Sequence, residues 1–476
     1  MASTTADREL AFTPVYKLTE MIRKKKLSPV ELMEVILKRI KELNPKLNVY
    51  LTLAEESALE GARHAEKALS TGEKLGPLHG IPTSIKDLVA TRGIRTTSGS
   101  LVYKDVVPET EGTMVKRLKA AGAIIVGKTN TPEFGLAACT DNKLGDSCRN
   151  PWNLERTSGG SSGGAAAGAA AGISPLSQGS DGGGSVRIPA AYCGLYGLKP
   201  NYGRVPKDVA PWGVSHVSCT GPLTWTVRDT ALMVNVISGP DGLDYTCIRT
   251  PPPDYVKALD TKPKRLKIAW SPDLGYGPFG VKVDPEVKAA VEKAVKVFAE
   301  MGHRVEEATP TPIDPFDTWD VLINSRNFIP YGSLLEKHAD KLMEYTKTAL
   351  ECGRDVSGVE VAKSWVQVEK MRGVMLDFFA QYDLLLTPCT AVPAPKVGQK
   401  ARELGRHFID WPFHPFTPVF NLTLNPAAAI PCGFTADGLP ISLQMVGRLE
   451  GEVTVLRASA AFEEARPWAN KRPPIS

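Results

Sequence analysis

The sequence lacks the features that would mark a metalloprotein, a secreted protein or a membrane protein. None of its eight cysteines stands in a C-x-x-C pair, which disfavours a zinc site and a disulfide framework. Reduced thiols in a cytoplasmic protein are the simpler interpretation. No apolar run approaches the roughly 20 residues that a membrane-spanning helix requires, and the first residues lack the blocks of a secretory signal. We therefore expect a cytoplasmic protein with no membrane partner.

An excess of one charge is also missing. The chain has 57 Lys and Arg against 52 Asp and Glu, for a net charge of +5 over 476 residues. The densest basic cluster, at residues 23–26, is interpreted as a solvated helix end. Without the basic stripe of a nucleic-acid-binding protein, we expect a small-molecule ligand and no nucleic acid.

Glycine, in contrast, is abundant, with 42 residues, and it is concentrated in two turns that also carry serine. The turns are residues 157–164 and 179–189, with a run of alanine and glycine between them. Glycine costs backbone entropy, so folds keep it where backbone must approach a neighbour closely or where φ is positive. This stretch is therefore the candidate active site.

Strand-like and helical segments alternate along the whole chain. Residues 266–270, 285–301 and 304–306 predict a β-α-β unit with a parallel pair of strands. The pattern predicts one large α/β domain, residues 1–476, built on a mixed sheet. We treat about 262–390 as a candidate helical or α/β insertion, or cap, within that domain.

One motif is rejected as a chance match. Gly122, Gly127, Lys128 and Thr129 fit the G-x-x-x-x-G-K-[ST] pattern of a phosphate loop. That loop needs its variable positions to turn their amides toward phosphate. Here those positions read as a buried strand, and residues 130–132 interrupt any helix that would follow.

The first glycine turn also fits a nucleophile elbow, G-x-S-x-G, around Ser161. An elbow requires an apolar strand before its serine, and residues 150–157 read as a poor strand. A downstream histidine would have to act as base, but none has a distinguishing context; the candidates are His216, His303, His338, His407 and His414.

Lysine is the alternative base, as in variants of the serine triad. Lys86 lies in an apolar, strand-like segment, residues 78–89, and burial would lower its pKa and populate the neutral amine. Composition alone favours a structural or exposed role for it. As a base, Lys86 would act through Ser161 on a nucleophile, Ser185, in the second turn. The expected oxyanion donors are the backbone amides of Gly182, Gly183, Gly184 and Ser185.

These motifs resemble the amidase signature family of serine hydrolases. The matching segments are residues 80–87, 158–164, 179–189, 197–200 and 439–444. The resemblance covers nearly the whole chain. It implies that Ser185 is the nucleophile, that Ser161 is a bridging serine after a cis peptide bond, and that Lys86 is the general base.

The resemblance also implies supporting contacts and a fold. Ser162 would hydrogen-bond around Lys86, and Asp181 would pair with Arg187 to brace the second turn. The implied fold is a mixed, largely parallel sheet flanked by helices, with no metal or organic cofactor, as a monomer or homodimer. Gly182 departs from the family, which commonly has threonine there.

The expected activity is hydrolysis of carboxylic amide bonds through an acyl-enzyme. We expect small amides with an apolar or aryl group, with carbamates and esters chemically accessible. The alternative is a glutamine-hydrolysing A subunit of a tRNA-dependent amidotransferase. Residues 135–140 are expected to wall the site. Further aromatic residues would either line an apolar pocket or pack in the core: Trp319, Trp365, Trp411, Phe413, Phe416 and Phe420.

Overall fold

Eleven strands form one sheet in this computed structural model, which describes residues 3–208, 215–261, 263–399 and 412–475. Their order is β1-β3-β2-β6-β8-β7-β12-β13-β11-β9-β10, and β4 pairs separately with β5. The strands are β1 (Tyr50–Leu53), β2 (Pro82–Lys86), β3 (Ile124–Thr129), β4 (Arg149–Asn150), β5 (Asn153–Thr157), β6 (Leu176–Asp181), β7 (Tyr196–Lys199), β8 (Cys219–Thr224), β9 (Lys267–Trp270), β10 (Arg304–Glu307), β11 (Leu384–Pro388), β12 (Ala427–Phe434) and β13 (Pro440–Gly447).

Helices flank this sheet. They are α1 (Thr5–Ala11), α2 (Val15–Arg23), α3 (Pro29–Leu47), α4 (Glu55–Thr71), α5 (Thr113–Ala120), α6 (Gly163–Ala170), α7 (Arg187–Cys193), α8 (Val227–Ile237), α9 (Tyr255–Ala258), α10 (Pro285–Glu300), α11 (Phe316–Tyr331), α12 (Leu334–Lys337), α13 (Glu344–Arg354), α14 (Gly358–Gln381), α15 (Val419–Leu422) and α16 (Glu452–Ala465). The predicted architecture, a single α/β domain with a mixed sheet, is confirmed.

Parallel pairing occurs in two blocks of the sheet rather than throughout it. The first block is β3-β2-β6 and the second is β11-β9-β10. The strands between them pair antiparallel. Strands β12 and β13 show why these neighbours are antiparallel. They follow each other through a short turn, and a parallel pair would need a longer crossover. The predicted parallel pair of β9 and β10 is confirmed.

Helix α3 shows how local sequence produces these elements. Ser28 caps it, accepting hydrogen bonds from the amides of Val30 and Glu31, which satisfies donors that the first turn leaves free. The apolar residues at helical spacing are buried in the N-terminal part of the core, where each contributes about 1.5–3 kcal/mol relative to exposure. The helix continues through Pro45 to Leu47, although proline more often ends or interrupts a helix.

Strand β2 positions the site. The predicted strand at 78–89 is shorter, and all five of its residues are buried. Both neighbours, β3 and β6, run parallel to it, so the carboxyl ends of all three strands meet at one edge of the sheet. Lys86 ends β2 and Asp181 ends β6. This edge, where side chains from several strands converge, is where open α/β sheets bind ligands.

The region 262–390 contributes to the sheet as well as covering it. Its strands β9, β10 and β11 form one end of the common sheet. Its helices α13 and α14 both pack on α11, and residues of α11 line the candidate site. Residues 316–382 are largely helical, from α11 to α14. That the region is an insertion stays a prediction.

Candidate active site

Lys86 is fully buried and its amine contacts three serine hydroxyls. Nζ lies 2.7 Å from Oγ of Ser161, 3.0 Å from Oγ of Ser162 and 3.1 Å from Oγ of Ser180. Its backbone amide donates to Oε1 of Gln178 at 3.0 Å. Composition alone would give Lys86 a structural or exposed role, but its amine is held against the first glycine turn.

Burial changes the acid–base character of Lys86. It lowers the pKa of the amine from its ordinary value to about 7, and the negative charge of Asp181 offsets only part of this effect. Desolvation acts in this direction because it disfavours the charged form. A substantial fraction of Lys86 is then neutral at physiological pH and able to accept a proton.

The first turn presents Ser161 to this amine. The peptide bond between Gly160 and Ser161 is cis, as the resemblance implied. Ser162 follows as the N-terminal cap of α6, and its Oγ both accepts from the amide of Ser180 and donates to the carbonyl of Ser180. The amide of Ser162 donates to the carbonyl of Ser185 at 3.2 Å. These bonds join the two glycine turns.

The second turn is braced by a buried ion pair. The guanidinium of Arg187 contacts both carboxylate oxygens of Asp181, at 2.9 and 3.0 Å, and neither side chain is exposed. Burial alone would raise the pKa of Asp181, but Arg187 holds it below its usual range. Arg187 also donates to Asn421 and Gln444. The contact expected between Asp181 and Arg187 is present.

One of the four backbone amides expected to donate to the oxyanion forms a hydrogen bond within this turn. The amide of Gly184 donates to Oδ1 of Asp181 at 2.7 Å and so already has an acceptor in this structure, while its expected role as an oxyanion donor stays a prediction. The fold requires glycine at position 184, because its φ is +128° and a Cβ there would lie 2.2 Å from Oγ1 of Thr417. The amides of Gly182, Gly183 and Ser185 stay candidates.

A cavity of about 190 Å³ opens over both turns. Ser161, Ser180 and Ser185 line it, together with Gly182 and Gly183. Its remaining walls are largely apolar, with a few polar side chains. They comprise residues 134–138, which include four of the six expected wall positions, and Leu88, Ile188, Ser215, Ser218, Trp319, Ile323, Arg326, Asn327 and His414.

The aromatic candidates divide between cavity and core. Trp319 lines the cavity and its indole donates to the carbonyl of Gly182 at 3.0 Å. Aromatic enrichment cannot separate core from pocket, because both favour large apolar side chains. The cavity lining does not include Phe413, Phe416, Phe420 or Trp365, and Trp411 lies outside the described residues.

A histidine base has little support at this site. Of the histidines within the described ranges, His414 lines the cavity. Burial lowers its pKa to about 4, so it would be a weak base. His407 lies outside the described residues. The strand before Ser161 is β5, which pairs with β4 in a separate two-stranded sheet rather than in the central sheet that an elbow requires.

Sequence reasoning missed several groups of the site. Ser180 was part of a quoted motif without a role, yet its hydroxyl contacts Lys86. Thr417 donates to the carbonyl of Gly183 at 2.7 Å. Asn421 bonds Asp181, and Gln444 bonds Arg187. Each of the last three lies more than 230 residues from its partner in the second turn, and no local pattern indicates such contacts.

Gly182, the departure from the family pattern, has open space around it. Among the described residues, and apart from its own chain neighbours, a Cβ at this position would approach no atom more closely than 3.9 Å. Glycine is therefore not required there by packing, and the missing side chain enlarges the cavity.

In the described part of the chain, no helix is long and apolar enough to cross a bilayer. The same residues contain no cluster of three metal-ligating acidic, histidine or cysteine side chains.

Known proteins resemble this chain over its full length. The sequence pattern of the Amidase family matches residues 31–456. An acylamidase of Rhodococcus erythropolis is 37% identical, with 98% of each chain covered. The A subunit of a glutamyl-tRNA(Gln) amidotransferase from Geobacter metallireducens is 35% identical, covering 98% of this chain and 99% of that protein.

A solved structure gives the same result at the level of fold. It is a bacterial aryl acylamidase of the amidase signature family, 30% identical, with a TM-score of 0.89 and coverage of 97% of this chain and 98% of that one. The family match spans most of the chain, and the acylamidase relative is 37% identical over nearly all of it. The protein therefore belongs to the amidase family of amidase signature enzymes, which hydrolyse amides.

Proposed function

We propose that this enzyme hydrolyses small carboxylic amides through an acyl-enzyme on Ser185, with Ser161 and Lys86 as a proton relay. The observation that carries the proposal is the environment of Lys86. Its amine is buried, has a pKa of about 7 and lies 2.7 Å from the hydroxyl of Ser161. Ser161 and Ser185 line the same cavity, so a substrate bound there would meet both hydroxyls.

In the first step, Ser185 attacks the carbonyl carbon of the amide. Its hydroxyl proton passes to Ser161, whose own proton passes to the neutral amine of Lys86, and the carbonyl π electrons move to oxygen. The amides of Gly182, Gly183 and Ser185 are the proposed donors to that oxyanion. One such donor contributes about 2.7–4 kcal/mol to transition-state stabilisation.

In the second step, the tetrahedral intermediate collapses and the C–N bond breaks. The proton on Lys86 returns through Ser161 to the leaving nitrogen, so an amine departs and Lys86 is neutral again. Water then attacks the acyl-enzyme ester by the same relay. It releases the carboxylic acid and restores the hydroxyl of Ser185.

The walls of the cavity support an apolar or aryl substrate. Leu88, Phe134, Ile188, Trp319 and Ile323 contribute apolar surface around the serines. Burying apolar area of the substrate contributes roughly 25 cal/mol per Å². The similarity to an acylamidase and an aryl acylamidase agrees with this class. Carbamates and esters present the same electrophilic carbon and belong to the proposal.

A substrate panel tests the proposal. Aryl amides, aliphatic amides, carbamates and esters are incubated with the enzyme, and the acylated peptide is identified by mass spectrometry. We expect label on Ser185, no label in Ser185→Ala, and a loss of turnover of about 10⁴–10⁶-fold in that variant. Ser364→Ala, at a buried serine of α14, serves as a control for replacing a buried serine. Full turnover in Ser185→Ala would exclude the scheme.

A glutamine-hydrolysing component of an amidotransferase is the second candidate, because the Geobacter metallireducens protein is almost as similar to the chain as the acylamidase. Such a component would hydrolyse glutamine and act with a partner. Residues 212–222, whose sequence differs from the segment that we associate with that class of protein, lie partly outside the described ranges. Glutaminase activity that increases when a co-purifying partner is present would favour this candidate over the amidase.

A further inference from the structure

We propose that Arg326 binds an anionic group, a carboxylate, at the end of the substrate remote from the scissile bond. The proposal rests on the proposed amide hydrolysis and specifies its substrate class. It concerns one face of α11, the helix that contributes Trp319, Ile323 and Arg326 to the cavity wall.

Three residues of α11 project along this face. Trp319, Ile323 and Arg326 follow each other at helical spacing of four and three residues, and all line the cavity. Residues spaced in this way share one side of a helix. Trp319 marks the catalytic end, since its indole donates to the carbonyl of Gly182. Arg326 lies seven residues on, which is about 10 Å along the helix axis.

Arg326 is a partly buried cation without a matching carboxylate among the described residues. Its guanidinium forms no ion pair with any acidic side chain in those ranges, and no Asp or Glu lines the described cavity. Burial lowers the pKa of Arg326, and the groups that oppose this effect are the hydroxyls of Tyr331 and Tyr202. A buried charge left without a partner is unfavourable, so an anion entering the cavity would be bound strongly.

Other cations add to the positive potential at this end. Burial lowers the pKa of His216, and the positive charges of Lys207, Arg326 and Arg372 lower it further. Lys207 donates to the carbonyl of Ser215 at 2.8 Å, and Ser215 lines the cavity. Asp244 is the acidic neighbour of this group; it is buried and accepts from the amide of Lys207.

The chemistry that fits is an amide whose reactive carbonyl and carboxylate are separated by an apolar spacer. The carbonyl would lie at Ser185, the spacer against Ile323 and Ile188, and the carboxylate against the guanidinium of Arg326. Guanidinium groups bind carboxylates through paired hydrogen bonds. An ω-carboxyacyl anilide and an N-acyl ω-amino acid both carry these features.

Paired substrates test the proposal on the acyl side and on the amine side. Adipoyl and suberoyl para-nitroanilides are compared with hexanoyl and octanoyl para-nitroanilides, and benzoylated ω-amino acids with benzoylated alkylamines. The readout is the ratio of kcat/KM for the charged and neutral members. In Arg326→Gln we expect this ratio to fall about ten- to a hundredfold in at least one series, and Arg326→Lys to recover part of it. Arg354→Gln, at an exposed arginine of α13, is the matched control.

Binding to Ser185→Ala gives the same comparison without turnover. Calorimetry with adipoyl and hexanoyl anilides should show that Arg326→Gln weakens only the preference for the charged compound. This measurement separates the two proposals, because it responds to Arg326 even if Ser185 has another role. An unchanged charged-to-neutral ratio in both series and in binding would overturn the assignment of Arg326.

Discussion

Two lysines on neighbouring strands share the same burial but not the same surroundings. Lys86 ends β2, and Lys128 lies on β3 opposite Ile85. Neither side chain has exposed surface. Burial lowers the pKa of Lys86 to about 7 and that of Lys128 to about 8. Desolvation alone therefore does not distinguish a catalytic lysine from a structural one.

The partners of the two amines make the difference. Lys128 donates to the carbonyl of Val89 and the hydroxyl of Thr96, and it lies 3.9 Å from the carboxylate of Asp87. A carboxylate keeps the lysine charged and in place. The partners of Lys86 are serine hydroxyls, which both accept and donate protons, and two of them line the cavity. Lys86 is suited to proton transfer because its partners are hydroxyls, two of which also line the cavity that would hold the substrate.

The largest expected effect separates the two lysines by activity. Lys86→Met should lower kcat/KM for amides by about 10²–10⁴-fold, the usual contribution of a general base, with the fold intact by circular dichroism. Lys128→Met, measured per mole of folded protein, should lose far less. Equal losses in both variants would mean that burial, rather than the hydroxyl relay, determines which lysine matters.

The second expected effect is on stability, and here Lys128 rather than Lys86 is the more sensitive site. Lys128→Met leaves the buried carboxylate of Asp87 without its cation, which should cost about 3–5 kcal/mol in the free energy of unfolding. The double variant Lys128→Met/Asp87→Asn should recover much of this loss. Urea denaturation measures both. A single variant as stable as the native protein would show that the ion pair contributes nothing.

The sequence predicted the elements of the site better than their mutual arrangement. Each glycine turn is local, so its serines could be inferred from motifs, whereas the ion pair within the second turn was implied by the family resemblance. The α/β class and most strands followed from periodicity. Lys86 could be assigned only through the family resemblance, because its burial depends on β3 and β6, which flank it in the sheet.

Long-range contacts account for what the sequence did not predict. Gln444 on β13 and Thr417, just before α15, reach the second turn from the C-terminal part of the chain. Phe416 and Phe420 were pocket candidates but are fully buried in the core, since an apolar residue fits either environment. The antiparallel pairs in the middle of the sheet depend on short connections rather than on strand composition, so the sequence pattern does not show where they occur.

The third expected effect is on the pH profile. Only neutral Lys86 acts as a base, so kcat/KM should rise with pH and level off above the pKa of about 7. Below that value it should fall about tenfold per pH unit. Lys128→Met should keep this midpoint, although the pKa of Lys128 is also lowered. A midpoint that moves in Lys128→Met, but not when the partners of Lys86 are changed, would assign the titration to Lys128 instead of Lys86.

The smallest expected effect concerns Ser180, the third hydroxyl around Lys86. Its Oγ accepts from Nζ at 3.1 Å and so stabilises the charged form of the lysine. Ser180→Ala removes that acceptor, and the midpoint of the pH profile should fall by about one unit, with less than a tenfold change in kcat/KM on the plateau. The matched control is Ser177→Ala, on the same strand, whose hydroxyl bonds Ser174 instead. A midpoint that rises in Ser180→Ala, or shifts equally in the control, would show that the hydroxyl does not stabilise the lysine cation.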